Sequence, residues 1–248
     1  VVAMARDAGI QVLAVTDHDT IDGVEEACKA GDSLGVMVLR GVELAANNAR
    51  HMHILGLGFR ERCPELEAVC KSLKTSREER NIRILTYLQE KGLELSLEDA
   101  QGQATGGVIG RPHFAQAMLQ RGYVASTREA FDRYLDTEEY QKIERIKLDA
   151  AQCIAAIHSA GGKAVLAHPY QLGFSDEQLE RTIRQLLEWG LDGLECYYPK
   201  HTPQQQARYL QLAETYQLFV TAGSDFHGPL VHPDDRLRPV ELEVTSLL

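Results

Sequence analysis

Three short apolar runs in this chain each stop at a residue that binds cations. Val12-Leu13-Ala14-Val15 leads into Thr16-Asp17-His18-Asp19. Lys163-Ala164-Val165-Leu166-Ala167 leads into His168-Pro169, and Leu218-Phe219-Val220-Thr221-Ala222 into Gly223-Ser224-Asp225-Phe226-His227-Gly228. Apolar runs this short, bounded by turn residues, read as strands. The full set of such runs is 10–15, 36–44, 53–59, 163–167, 192–197 and 218–222, and amphipathic stretches near 22–34, 149–160, 175–189 and 203–216 fall between them. Strands alternating with helices predict an α/β fold built on a mainly parallel sheet or barrel. Residues at the C-terminal ends of such strands converge on one rim.

The helix boundaries carry their own signals. Asp22 is a candidate cap, Ser175-Asp176-Glu177-Gln178 has the capping-box pattern, and Gly161-Gly162 and Gly190 stand where helices stop. Residues 60–148 read differently. Pro64 to about Gly92 is helical in period, with shorter helical pieces near 96–104, 111–121 and 127–136, and no convincing strand interrupts them. We therefore expect a body formed by residues 1–59 and 149–248 and a helical insertion over 60–148.

Composition removes several function classes. A net charge of −10 argues against broad duplex nucleic-acid binding through a basic surface, yet permits an anionic substrate where cations supply local positive potential. The five cysteines, Cys28, Cys63, Cys70, Cys153 and Cys196, form no Cys-x-x-Cys pair, which fits buried thiols in a reducing, cytoplasmic setting. No apolar run approaches the ~20 residues of a membrane span. Gly-x-Ser-x-Gly, Gly-x-Gly-x-x-Gly and P-loop patterns are all missing, so serine-hydrolase, NAD and ATP chemistry have no support.

The candidate ligands each have an ordinary competing reading. Asp225 and His227, if extended, point the same way and can grip one cation. The alternative is a polar turn with a surface histidine. Glu43 ends the run Val36–Val42 and can bridge two cations, or it can be a solvated strand end. His51 and His53 would share one strand face, but both precede their apolar run, Ile54-Leu55-Gly56-Leu57, against the strand-end rule. The residues alone leave that choice open. Mixed imidazole and carboxylate donors without thiolate suit Mn²⁺, Zn²⁺ or Fe²⁺. More than four candidates imply more than one ion, an arrangement suited to phosphoryl transfer. Arg111-Pro112-His113 opens a helix after Thr105-Gly106-Gly107-Val108-Ile109-Gly110, where a guanidinium at a helix N-terminus can clamp phosphate. His201 follows Tyr197-Tyr198-Pro199-Lys200 and can donate a proton or bind phosphate, or sit idle in its turn. Glu195 can support a ligand from behind.

Taken together, Thr-Asp-His-Asp at 16–19, Gly41-Val42-Glu43, His53-Ile54-Leu55-Gly56, Arg111-Pro112-His113-Phe114-Ala115, Ala167-His168-Pro169 and the segment 223–228 resemble the PHP (polymerase and histidinol phosphatase) superfamily. The resemblance is closest to its TrpH-like branch of metal-dependent phosphoesterases. It implies a distorted (β/α)₇ TIM-like barrel with a helical insertion and two to three divalent ions, commonly Mn²⁺, with Zn²⁺, Fe²⁺ or Mg²⁺ as alternatives. By motif, the ligands would be His18, Glu43 (bridging), His53, His168, Asp225 and His227, which selects His53 over His51. Arg111, His113 and His201 would line the phosphate pocket, with Arg111 stabilising charge and His201 protonating the leaving oxygen.

The implied substrates are a small phosphorylated nucleotide, such as a nucleoside 3′,5′-bisphosphate cleaved to the 5′-monophosphate, and the 5′ end of short RNA. Histidinol-phosphate phosphatase, a polymerase-linked exonuclease and a non-catalytic metal-binding module are the alternatives. The family's opening His-x-His strand and the aspartate after it have no counterpart here. The expectation from this departure is a truncated chain lacking the first barrel strand and three ligands, with weak or no activity by itself.

Overall fold

The computed structural model describes residues 1–102, 109–226 and 237–242. Its described residues form two compact units, Val1–Cys70 with Lys147–Phe226 and residues 237–242, and the described part of Lys71–Ile146.

The first unit is built on one six-stranded sheet in sequence order: β1 (Val12–Val15), β2 (Met37–Ala45), β3 (His53–Leu57), β4 (Lys163–Leu166), β5 (Gly193–Tyr197) and β6 (Phe219–Ala222). The helices Val24–Leu34, Ala150–Ser159, Asp176–Glu188 and Pro203–Thr215 alternate with the strands. Ser175 and Thr202 cap the last two by accepting from Gln178 and Gln205 N–H, and left-handed Gly35 ends the first. Leu44, Ile54, Ile154, Ile157 and Leu166 are fully buried at the helix–sheet interface.

The sheet is mixed. β1–β2, β4–β5 and β5–β6 are parallel, whereas β3 is antiparallel to both β2 and β4. One consequence decides the site. The start of β3 lies on the same rim as the ends of the other strands. A residue that precedes the β3 apolar run is therefore a rim residue, which explains the departure of His53 from the strand-end rule. His51 does not share its strand face. It precedes β3 in a turn with φ 61°, outside the extended region that alternation requires.

Gly41 marks a close approach at the end of β1. A Cβ there would stand 2.5 Å from the Val15 carbonyl oxygen, so a side chain would force the two strands apart. Beyond this point the chain 17–19 continues alongside β2. Glu43 N–H donates to the Asp17 carbonyl at 3.1 Å, and Asp19 N–H donates to the Glu43 carbonyl at 2.8 Å.

The second unit is helical. Its helices are the greater part of Pro64–Glu90, then Leu97–Gln101, Arg111–Gln120, Thr127–Ala130 and Glu138–Gln141, with a π-helical turn at Phe131–Leu135. Ile84, Leu88, Phe114, Met118 and Leu135 form its core. All five cysteines are free thiols. Among the described residues, no helix is long and apolar enough to cross a membrane.

Candidate metal centre

Glu43 is the centre of the rim. It is buried, and three imidazoles converge on its two oxygens. His18 Nδ1 lies 3.1 Å from Oε2. His53 Nδ1 lies 2.8 Å and His168 Nε2 3.1 Å from Oε1. His53 Nδ1 and His168 Nε2 are themselves 3.1 Å apart. Each position follows from the backbone. His18 is bridged to Glu43 by the 17–19 pairing, His53 opposes Ala45 across β2–β3, and His168 follows β4 directly.

Burial alone would raise the Glu43 carboxyl. The His18 and His53 charges and hydrogen bonds from His168 and His53 outweigh it and hold the group well below the usual carboxylate range. The opposite balance holds for His168. Burial would lower it, but the Glu43 carboxylate raises it.

Asp225 reaches the same rim from the end of β6. Its Oδ2 accepts from Gln171 Nε2 at 3.2 Å and from Tyr198 OH at 3.3 Å, and the Tyr198 ring lies 6.1 Å from that of His168. Asp225 has φ 50°. The extended geometry expected for the Asp225-x-His227 pair therefore does not hold at its first member, and His227 lies outside the described residues. Asp19 supports the rim structurally: its buried carboxylate accepts the Ala45 N–H at 3.1 Å.

His201 packs among Tyr170, Tyr198 and Tyr209, with ring centroids 4.8–5.5 Å away. Its Nδ1 is 2.9 Å from the Cys196 carbonyl. A carbonyl only accepts, so Nδ1 carries the proton. Burial lowers the His201 pKa, and among the described residues its buried Nε2 has no hydrogen-bond partner.

Known proteins share this arrangement of sequence and fold. No family model matches the chain. A 5′-3′ exoribonuclease of Haemophilus influenzae is 34% identical over 89% of this chain and 81% of its own length. A phosphoribosyl 1,2-cyclic phosphate 1,2-diphosphodiesterase of Eggerthella lenta is 35% identical over 92% and 87%. A 3′,5′-nucleoside bisphosphate phosphatase of Chromobacterium violaceum is 31% identical over 88% and 77%. The chain belongs to the PHP superfamily. Within it, the chain falls in the TrpH-like branch and is a metal-dependent phosphoesterase, a hydrolase. Solved structures agree. A Chromobacterium violaceum amidohydrolase with bound sulfate superposes with a TM-score of 0.85 at 29% identity, covering 96% of this chain and 84% of that one. A metal-dependent phosphoesterase of Bifidobacterium adolescentis gives 0.81, also at 29% identity, over 96% and 85%.

The donors of this PHP rim fit a divalent ion. One ligand atom each from His18, Glu43 and His53 lie within 4.8 Å of one another, a spacing that a single cation at ordinary Mn–N and Mn–O lengths can close. Among the described residues, His168 Nδ1 is buried without a hydrogen-bond partner. Three imidazoles around one carboxylate are also a donor set suited to Mn²⁺, Fe²⁺ or Zn²⁺.

Glu195 is the part of this arrangement that the sequence marked only faintly. It is buried in β5, and its Oε2 accepts the His168 backbone N–H at 2.7 Å. His168 has φ 27° and ψ 61°, a conformation that a residue before proline avoids. The Glu195 bond therefore fixes a strained backbone at a rim histidine. Burial pushes the Glu195 carboxyl up to about 7, against the opposing His168 charge.

The sign of the linked stability follows. Below the ordinary glutamate range both folded and unfolded chains carry the proton, so the group costs nothing. As pH rises toward 7 the unfolded chain ionises first and stability is lost. In metal-free protein, Glu195→Gln should abolish on the order of 3 kcal/mol of this loss between pH 4.5 and 7.5. Urea denaturation at the two pH values reads it, and parallel pH profiles for the two proteins would refute the assignment.

The insertion residues singled out by the sequence lie in the second unit. Arg111 Nη1 donates to Asp136 Oδ1 at 2.7 Å, and its guanidinium stacks over the Phe131 ring at 5.7 Å. His113 Nδ1 accepts the Gly110 N–H at 2.9 Å and so caps its helix.

Proposed function

We propose that the chain hydrolyses the phosphomonoester of a small nucleotide, a nucleoside 3′,5′-bisphosphate being cleaved to the 5′-monophosphate, and that it also trims the 5′ end of short RNA. The observation that supports this best is the buried carboxylate shared by three imidazoles on one rim, in a chain 31% identical to a nucleoside bisphosphate phosphatase. In this reading the body is a distorted TIM-like barrel, residues 60–148 are an insertion, and the protein works in the cytoplasm.

His18, Glu43, His53, His168, Asp225 and His227 would hold two to three divalent ions, with Mn²⁺ preferred and Glu43 bridging. Such ions supply an activated water near neutral pH and neutralise phosphate oxygens. The protein's own groups do the rest. Glu43 stays ionised, Glu195 fixes His168, and the Tyr198 hydroxyl and Gln171 orient Asp225. Arg111 and His113 bind the substrate phosphate. His201 enters as a hydrogen-bond acceptor at Nε2. The tautomer set by Cys196 leaves no proton there to give, which counts against the acid role expected from the sequence.

A second reading, cleavage of a cyclic phosphodiester, is favoured by the 35% identity to the Eggerthella lenta diphosphodiesterase. The test is product analysis with the protein of the complete reading frame. Adenosine 3′,5′-bisphosphate plus Mn²⁺ should yield AMP and phosphate, and chelator should stop it. Turnover confined to a cyclic phosphodiester or to histidinol phosphate would overturn the substrate assignment.

A further inference from the structure

The short turn Pro169–Leu172 begins at one candidate ligand and carries the support of another. It is a 3₁₀ turn directly after His168, and the Gln171 N–H donates to the His168 carbonyl at 2.9 Å. The place of Gln171 is thus fixed from the His168 backbone. Its side-chain amide has two hydrogens to give. Nε2 lies 3.2 Å from Asp225 Oδ2 and 3.4 Å from the Tyr198 hydroxyl. That hydroxyl in turn lies 3.3 Å from the same Oδ2. A carboxylate only accepts, so the amide nitrogen faces it and the phenol turns its single hydrogen toward it. The phenol oxygen is left to accept from Gln171. The polarity of the triangle follows: two donors meet on one carboxylate oxygen, and the first donor supports the second.

Tyr198 has little room to turn away. It follows β5 directly, and its buried ring lies 6.1 Å from that of His168, 5.5 Å from Tyr170 and 5.2 Å from His201. Asp225 needs such support, because its φ of 50° is a left-handed backbone that a non-glycine residue adopts only at a cost. The rim therefore has two sides that are built differently. Glu43 gathers its imidazoles by direct contact. Asp225 is presented through Gln171 and Tyr198, two neutral side chains.

We propose that Tyr198 and Gln171 are positioning residues that set the affinity for the divalent ion, and that both act through Asp225 alone. The proposal rests on the reading of Asp225 as a ligand and deepens it. Loss of either neutral group should cost metal, and should cost nothing once the Asp225 carboxylate is gone.

Mn²⁺ is titrated calorimetrically into chelator-treated protein of the complete reading frame. Tyr198→Phe keeps the packed ring and Gln171→Leu keeps most of the side-chain volume, and each should weaken binding about tenfold. Asp225→Gly removes the carboxylate in a residue that takes φ 50° without strain. In that background the same two changes should move the affinity by less than about twofold. Circular dichroism in chelator controls for folding. Hydrolysis of adenosine 3′,5′-bisphosphate gives a second readout. Tyr198→Phe should lose activity at limiting Mn²⁺ and recover most of it as Mn²⁺ saturates, which a residue that only maintains the fold would not do. Parental Mn²⁺ affinity in both folded variants would overturn the proposal, and so would an undiminished loss in the Asp225→Gly background. Parental affinity in Asp225→Gly itself would overturn the ligand assignment beneath it. Failure of every phosphomonoester to turn over would sink the substrate reading alone, because the binding arm needs no catalysis.

Discussion

Glu43→Gln should weaken Mn²⁺ binding by at least about a hundredfold, the upper end of what loss of a supporting group costs a metal site. The Glu43 carboxylate touches His18, His53 and His168 together, at 3.1, 2.8 and 3.1 Å. Glutamine keeps its length and volume but loses the charge. It also replaces one oxygen with an amide that donates, so at most one of the two oxygens now facing imidazole nitrogens remains a ligand atom.

The metal-free protein gives a second readout of the same change. The raised pKa of His168 comes from Glu43, so that contribution to stability is full below the ordinary histidine range and is lost as pH climbs through the raised value. Glu43→Gln removes the contribution, and the variant's stability should fall less than the parent's between pH 6 and pH 8. Calorimetric titration of chelator-treated protein with Mn²⁺, with urea denaturation beside it, reads both effects. Parental Mn²⁺ affinity in a folded Glu43→Gln protein would remove Glu43 from the site.

The strands were legible because each is an apolar run bounded by turn residues, and the observed strands all lie within or close to those runs. Rim residues at the ends of β1, β2, β4 and β6 follow from the same pattern. Strand direction is not encoded in periodicity, so the expectation of a mainly parallel sheet carries no sign that β3 is the reversed strand. His53 seemed out of place only because β3 runs the other way. The left-handed backbones of His168 and Asp225 were hidden for a different reason. Each is stabilised by partners distant in sequence. Glu195 holds the His168 N–H from 27 residues away, and Gln171 and Tyr198 hold the Asp225 carboxylate from 54 and 27 residues away. A local reading of His168-Pro169 or Asp225-x-His227 returns extended chain because extended chain is what those residues prefer alone.

Gly223→Ala should cost about 3 kcal/mol or more, at the upper end of overpacking penalties, and lower the Tm by roughly 6–12 °C for a protein of this size. A Cβ at Gly223 would lie 1.8 Å from Glu195 Oε1 and 2.7 Å from its carboxyl carbon. Glu195 cannot swing away freely. It is buried in β5, and its other oxygen holds the His168 N–H at 2.7 Å. Gly223 cannot retreat easily either, because its own N–H donates to the Tyr197 carbonyl at 2.9 Å beside the register shift that pairs Glu195 with Thr221 and Tyr197 with Ala222. The methyl group must therefore displace the carboxylate from His168, and weaker Mn²⁺ binding should accompany the loss of stability. Shortening the opposing side chain separates this cause from a general intolerance of alanine. In Glu195→Asp the carboxylate is drawn back by about one methylene, so Gly223→Ala should cost markedly less in that background, with a coupling energy of about 1 kcal/mol or more in a double-mutant cycle. Strict additivity of the two changes would show that the glycine is required by its backbone and not by Glu195.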